Sequence, residues 1–291
     1  MAVDLHCHTK LSDSSMGLED LIALANKRGV TTIAITDRDC QAGTVRGKII
    51  GERRGVAVIP GVEISAYDSK RDKYAEILCY LSDSPDRLEG LCHRNTLARK
   101  KASQMMTLKA ARKYPITPEL VIKCATGSTA VFEEHIMHAL IECGITDRVH
   151  GELYDELFSP ESPSNIITKA KYAEPSEVVE AIHEAGGIAV LAHPGSSDSF
   201  ELLEELIALG LDGVEVWHPD NTEEQQAMLL EIAKKNGLLT VGGTDFKGMY
   251  SKKPICVGDC STPEASLKAL LSYKSKQKKL KAKLEKNNED K

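Results

Sequence analysis

Short apolar runs that end on a polar or ionisable residue recur along this chain, and the recurrence limits the folds open to it. The first is Val3-Asp4-Leu5-His6-Cys7-His8; the pattern returns at Thr36-Asp37-Arg38-Asp39, Gly61-Val62-Glu63, Ala192-His193-Pro194, Val216-Trp217-His218 and Gly243-Thr244-Asp245. Side chains two apart on a strand point the same way, so His6 and His8 project together, which is a metal-ligand arrangement. In a parallel α/β barrel the loops after the strands gather on one face, and ligands scattered through the sequence become one site.

Size and composition permit such a fold. A chain of 291 residues, 42% hydrophobic, can bury one large α/β domain or one domain with a modest insertion. A net charge of -6 and an aromatic content of 4% argue against a dedicated nucleic-acid surface, while leaving small anionic substrates open. No apolar run approaches the roughly 18 residues of a membrane span, so a cytoplasmic protein with no membrane partner is expected. The eight cysteines lack paired C-x-x-C spacing, as reduced core residues would, and a disulfide framework or thiolate zinc site is not indicated.

Strand-like runs at about 2–6, 31–35, 56–60, 75–80, 187–192, 212–217 and 238–242 alternate with helical patterns at about 17–28, 41–53, 176–185, 199–209, 222–236 and 263–272. That alternation predicts a parallel sheet. Thr222-Glu-Glu-Gln has the form of a capping box, and Gly210 and Gly237 close two helices. Between residues 85 and 164 the alternation gives way to basic helical sequence, Pro115-Ile-Thr-Pro118 and a helical stretch near 134–143. We expect a helical insertion subdomain here, rising from the face where the strands end, with the barrel formed by 1–84 and 165–273. From Lys274 to Lys291, eight lysines face three acids, the composition of a basic frayed or disordered tail.

His6-Cys-His8, Ser12-Asp13, Thr36-Asp37, Gly61-Val-Glu63-Ile-Ser, Ala192-His193-Pro194-Gly and Gly243-Thr-Asp245-Phe, in this order, resemble the PHP family of metal-dependent phosphoesterases. The resemblance covers most of the chain. It implies a distorted (β/α)7 barrel with a helical insertion and a trinuclear metal site that hydrolyses small phosphate esters. It further implies that His6, His8, Glu63 and Asp245 hold one metal, and that Glu63 bridges to a second, which His193 also binds. Taken singly, each position has a plainer reading: surface histidines, capping or solvated acids, or a turn residue before Pro194.

Three positions depart from the family pattern. Arg38, Glu76 and Lys247 stand where the family carries histidine ligands. Arginine cannot ligate a cation, and lysine does so only by losing a proton, so the third metal, which Asp13 would share with positions 38 and 247, is expected to be missing. Glu76 can still ligate as a carboxylate. One or two divalent ions (manganese, iron or zinc) are expected rather than three, with Arg38 and Lys247 pairing with Asp13 and clamping a substrate phosphate. The expected activity is hydrolysis of a small phosphorylated substrate of nucleotide, cyclic-phosphate or sugar-phosphate type by metal-bound hydroxide. His218 is a candidate general acid or substrate contact, and His135, His138, Arg94 and Arg99 could approach the mouth from the insertion. Glu133-Glu134-His135 replaces a phosphate-gripping R-P-H segment of the family, which disfavours phosphate at that point. The rival reading is a catalytically silent PHP-like binding or regulatory protein. A barrel amidase is disfavoured for want of a matching ligand order. The substrate, the choice between mono- and diester, and the oligomeric state stay open.

Overall fold

The structure is a computed structural model that describes residues 2–289, with side chains described through residue 279. Its seven strands are β1 (Ala2–Cys7), β2 (Val30–Ile35), β3 (Ala57–Asp68), β4 (Lys73–Tyr80), β5 (Ile188–Leu191), β6 (Gly213–Trp217) and β7 (Leu239–Gly242), paired side by side in sequence order. An isolated parallel bridge from Cys7 to Phe246 brings the ends of that order together, giving a distorted (β/α)7 barrel. Apolar residues at alternate strand positions, among them Val3, Leu5, Ile59, Leu78, Val190 and Val241, form one buried cluster, with Leu270 from the last helix packed into it.

The all-parallel expectation is corrected at one strand. β1, β2 and β3 are parallel, as are β5, β6 and β7, but β4 runs antiparallel to both neighbours. Residues 69–72 are all that join β3 to β4, a link that closes a hairpin and is far too short for a parallel crossover. β3 also runs on to Asp68, past its expected end near residue 60, so Glu63 lies inside a strand rather than after one. Because β4 is reversed, Glu76 near its start pairs with Ser65 beside the mouth, and its end at Tyr80 lies at the base.

The insertion therefore leaves from the base and not from the mouth. After a 3-10 turn at Pro85–Leu88 comes α3 (Glu89–Lys113), preceded in the chain by α1 (Leu18–Lys27) and α2 (Thr44–Arg54). Leu91 and Cys92 on its first turn pack into the barrel's outer core, Asn95 and Arg99 reach Asp39 and Ser65 at the mouth, and Met106 and Ala110 enter a second core. At ~1.5 Å per residue the helix spans on the order of 37 Å, enough to climb the barrel wall. The second core is shared with α4 (Pro118–Cys124), α5 (Glu133–Glu142) and α6 (Glu152–Phe158), through Val121, Ile136, Leu140 and Leu157.

The remaining helices are α7 (Pro175–Glu184), α8 (Phe200–Ala208), α9 (Glu223–Asn236) and α10 (Glu264–Glu289). The capping box opens α9: Gln225 N–H donates to Thr222 Oγ1 (3.2 Å), and Thr222 N–H to Gln225 Oε1 (2.8 Å). Gly237, at φ 68°, closes it. Instead of ending near residue 272, α10 continues through the basic stretch. Tyr273 donates to Asp212 (2.7 Å) and the Lys274 ammonium lies 2.9 Å from Asp83, so the helix is tied to the barrel where a tail was expected. The tail's last two residues lie outside the described ones. Cys7, Cys40, Cys79 and Cys92 are buried thiols, and Cys124, Cys143, Cys256 and Cys260 are free thiols only partly buried. Among the described residues no helix is long and apolar enough to cross a membrane.

Candidate metal centre and adjoining cleft

The mouth collects ionisable groups from every part of the barrel. His6 and His8 come from the end of β1, Asp13 from the loop after it, Arg38 from the loop after β2, Glu63 from β3, Glu76 from β4, His193 from the loop after β5, and Asp245 and Lys247 from the loop after β7. His6, His8 and Glu63 are fully buried, and one ligand atom of each lies within 4.8 Å of the others. His8 Nε2 is 2.9 Å and His6 Nε2 3.6 Å from Asp245 Oδ1; His6 Nε2 is 3.3 Å from Glu63 Oε1, and His193 Nε2 is 3.6 Å from the same oxygen.

These contacts are close but do not have hydrogen-bond alignment. His6 Nε2, His8 Nε2, both Glu63 oxygens and Asp245 Oδ1 are buried without a hydrogen-bond partner. Orphaned buried polar atoms are costly, and several converging on a common point rather than on one another form the donor set of a divalent cation. The other ring nitrogens are held as a metal-binding imidazole requires. His6 Nδ1 is 3.0 Å from Glu215 Oε1, and His8 Nδ1 lies 3.1 Å from Asp13 Oδ1 and 3.3 Å from Ser12 Oγ, leaving each Nε2 as the free donor. The residues present thus fit one cation well.

Charge in the cluster is mutually set. Burial opposes a charge on His6, but Glu215, Glu63 and Asp245 outweigh it and raise its pKa well above the usual range. Burial likewise opposes a charge on His8, whose pKa Asp13 chiefly raises to about 9, so a cation entering the site displaces a proton from each ring. Burial would raise Glu63 and Asp245, yet Arg38 and His6 hold Glu63, and Lys247 and His6 hold Asp245, well below the usual carboxylate range. Both carboxylates are therefore ionised and able to hold a cation.

Arg38 and Lys247 lie where they touch four acids of the mouth. Arg38 Nε donates to Asp13 Oδ2 (3.2 Å) and Nη1 to Glu76 Oε1 (3.1 Å), with Nη1 also 3.0 Å from Glu63 Oε2. Lys247 Nζ donates to Asp245 Oδ2 at 2.6 Å and sits 3.8 Å from Asp13 Oδ2.

Sequence reasoning missed three buried acids that set this geometry. Glu215, in the middle of β6, orients His6 and also accepts the His193 N–H (3.0 Å). Asp37 accepts from Thr9 N–H, Thr9 Oγ1 and Ser12 Oγ, each at 2.7 Å, fixing the loop that carries Asp13. Asp4 accepts from Thr244 N–H (3.0 Å), Thr244 Oγ1 (2.6 Å) and Gly258 N–H (2.8 Å), fixing the loop that carries Asp245. The available signal was an acid inside an apolar strand, as in Gly213-Val-Glu215-Val-Trp. The backbone is constrained as well: Asp39, His193 and Asp245 hold φ of 53°, 29° and 47°, in the left-handed region that non-glycine residues uncommonly adopt. At Gly243 a Cβ would lie 2.3 Å from the His6 backbone nitrogen, so only glycine lets β7 come so close to β1.

A cleft of about 320 Å³ opens beside the cluster, between the mouth and the insertion. Asp13, Arg38 and Glu76 line its inner end, Glu133, Glu134 and Tyr154 its roof, and Tyr74 and Tyr172 its side. Arg99 lines it too, although its guanidinium lies 4.7 Å from the Phe132 ring and 5.1 Å from that of Tyr172 and is paired with Asp39 and Ser65. Two expectations change here. His135 does not line the cleft; its Nδ1 accepts the Phe132 N–H (3.0 Å) at the start of α5, and burial lowers its pKa to about 4. His218 sits 5.0 Å ring to ring from His193, but burial pushes its pKa down to about 4 and its Nδ1 accepts the Asp220 N–H (3.2 Å), so neutral Nε2–H is the form present. It can donate a hydrogen bond, but at neutral pH it carries no proton to give as an acid. Arg94 is exposed on α3, and His138 bonds the Tyr250 hydroxyl (2.7 Å); neither lines the cleft.

Comparison with known proteins agrees with this architecture. Residues 4–139 match the PHP domain. A phosphoribosyl 1,2-cyclic phosphate 1,2-diphosphodiesterase of Eggerthella lenta is 34% identical over 87% of this chain and 97% of its own length, and a 5'-3' exoribonuclease of Haemophilus influenzae is 28% identical over 84% and 89%. A crystal structure from Bifidobacterium adolescentis, of a protein proposed to be a metal-dependent phosphoesterase, superposes with a TM-score of 0.83 at 30% identity, covering 92% of this chain and 95% of that one. With relatives of this kind aligned along nearly its whole length, the chain belongs to the PHP domain family and is a phosphoesterase.

Proposed function

We propose that the protein hydrolyses a small phosphate ester of nucleotide, cyclic-phosphate or sugar-phosphate type, with a divalent cation held by His6, His8, Glu63 and Asp245. The observation that carries this reading is the set of buried, unpartnered ligand atoms from these four residues beside a cleft whose inner wall is Arg38. When bound, such a cation supplies Lewis acidity and makes an attacking water available at neutral pH.

The protein's own groups then divide the remaining work. Glu215 fixes the His6 ring through Nδ1 and, with the His193 N–H, ties β1 to the loop after β5. Arg38 and Lys247, in place of a third ion, present fixed positive charge toward the non-bridging phosphoryl oxygens, where charge shifts during in-line displacement. His218 Nε2, buried and unpaired, is a neutral donor for a phosphoryl or leaving-group oxygen. The cleft admits one small molecule, and Arg38 at its inner end draws the phosphate toward the cluster.

The test is hydrolysis of a panel of nucleotides, cyclic phosphates and sugar phosphates, read as released phosphate for monoesters and as the ring-opened monoester for cyclic phosphates, assayed with the chelator-treated protein before and after manganese or zinc is restored. Turnover that returns with metal, and its loss together with bound metal in Asp245→Asn, is the expected result. An Asp245→Asn protein with full metal content and full turnover refutes the assignment.

A further inference from the structure

The two side-chain cations at the mouth divide the carboxylates in a regular way. Glu63 turns Oε2 to Arg38 Nη1 at 3.0 Å and Oε1 to His6 Nε2 at 3.3 Å. Asp245 turns Oδ2 to Lys247 Nζ at 2.6 Å and Oδ1 to His8 Nε2 at 2.9 Å. Asp13 and Glu76 face the same guanidinium, at 3.2 and 3.1 Å. Glu63 Oε2 also lies 3.5 Å from His8 Nε2, so each of these two acids has one oxygen beside a cation of the chain while still facing the imidazoles.

We infer that the centre takes a single divalent cation, in the His6–His8–Glu63–Asp245 set, because Arg38 and Lys247 occupy as tethered charges the positions where further ions would bind. A second ion near His193 would need Glu76 and an oxygen of Glu63, and both acids already face Arg38 Nη1. A third near Asp13 would lie between that guanidinium and the Lys247 ammonium. The guanidinium keeps its charge at every accessible pH, so it excludes a neighbouring dication permanently rather than competing with it. Side-chain exposure of both cations is only 12%, which leaves little water to screen that repulsion. His193 then stays without an ion, its Nε2 facing Glu63 Oε1.

The inference deepens the hydrolase reading and rests on it for its catalytic meaning, but its test counts ions and can fail separately. Full-length protein stripped with chelator would be titrated with manganese by calorimetry, and bound metal measured by elemental analysis after desalting. Wild type should bind about one equivalent. Arg38→Lys, which keeps the charge, should stay at one, whereas Arg38→His and the Arg38→His/Lys247→His pair, which replace cations with neutral donors, should rise to two or more. Circular dichroism and melting confirm that each variant is folded; if Arg38→His does not fold, Lys247→His alone serves as the test. Two or more equivalents in wild type overturn the inference, as does a folded Arg38→His that still binds one. Two ions with hydrolysis leave the hydrolase reading standing, whereas no ion and no hydrolysis removes both.

Discussion

At the scale of single residues, burial turns ordinary groups into specialised ones. Glu133, on the roof of the cleft, has its pKa raised to about 7 by burial and then by Glu134, against the pull of Tyr154, Arg99 and Arg38. Tyr154 donates to it at 2.7 Å. Its ordinary value is 4.5, so between about 4.5 and about 7 the folded protein binds more protons here than the unfolded chain. Stability from this group is therefore full below that window and falls as pH rises through it. Glu133→Gln should flatten the pH dependence of urea unfolding between pH 5 and 7.5 and leave the variant relatively more stable at the upper end. An unchanged slope would show that Glu133 ionises without cost. The same residue makes the roof less repulsive to a phosphate near neutrality than two full charges from Glu133 and Glu134 would be.

At the scale of elements, the hairpin of β3 and β4 and the helix α3 determine what reaches the mouth. Asn95 is buried on α3 and donates through Nδ2 to Asp39 Oδ1 (2.8 Å) and to Ser65 O (2.7 Å), joining the insertion to the loop after β2 and to β3. Asn95→Ala removes both bonds, leaving Asp39 Oδ1 with only the Ser65 N–H (3.1 Å), and a loss of ~1–3 kcal/mol in unfolding free energy is expected, measured by denaturant titration. KM should rise as well, since the cleft's roof hangs from this helix. Much of this level could be read from the sequence: the apolar runs marked all seven strands, and the capping box and Gly237 bounded α9. The direction of β4 could not, because alternation of apolar residues gives position and not polarity, and the short link at 69–72 appears only once β3 is seen to run on to Asp68. Glu215 escaped for a related reason. An acid inside Val-Glu-Val reads as the solvated side of a strand until closure of the barrel turns that side inward.

At the scale of the whole molecule, ligands drawn from β1, β3 and the loop after β7 make metal binding and folding one equilibrium. A cation that binds only the folded chain stabilises it by about 2.7 kcal/mol at a hundredfold excess over Kd. Manganese should raise the melting temperature by several degrees and a chelator should reverse the rise; identical melting in both conditions would mean that the cluster holds no ion. The family and the barrel were evident from six short motifs in order, whereas how Arg38 is shared among Asp13, Glu63 and Glu76 required the three-dimensional arrangement. The path of α3 has one more effect. Packed at the base and pinned again at the mouth, it acts as a strut that carries the second core over the cleft. Weakening the anchor at the mouth should therefore tell first on the cleft's lining from α5 and α6, and only then on the barrel beneath.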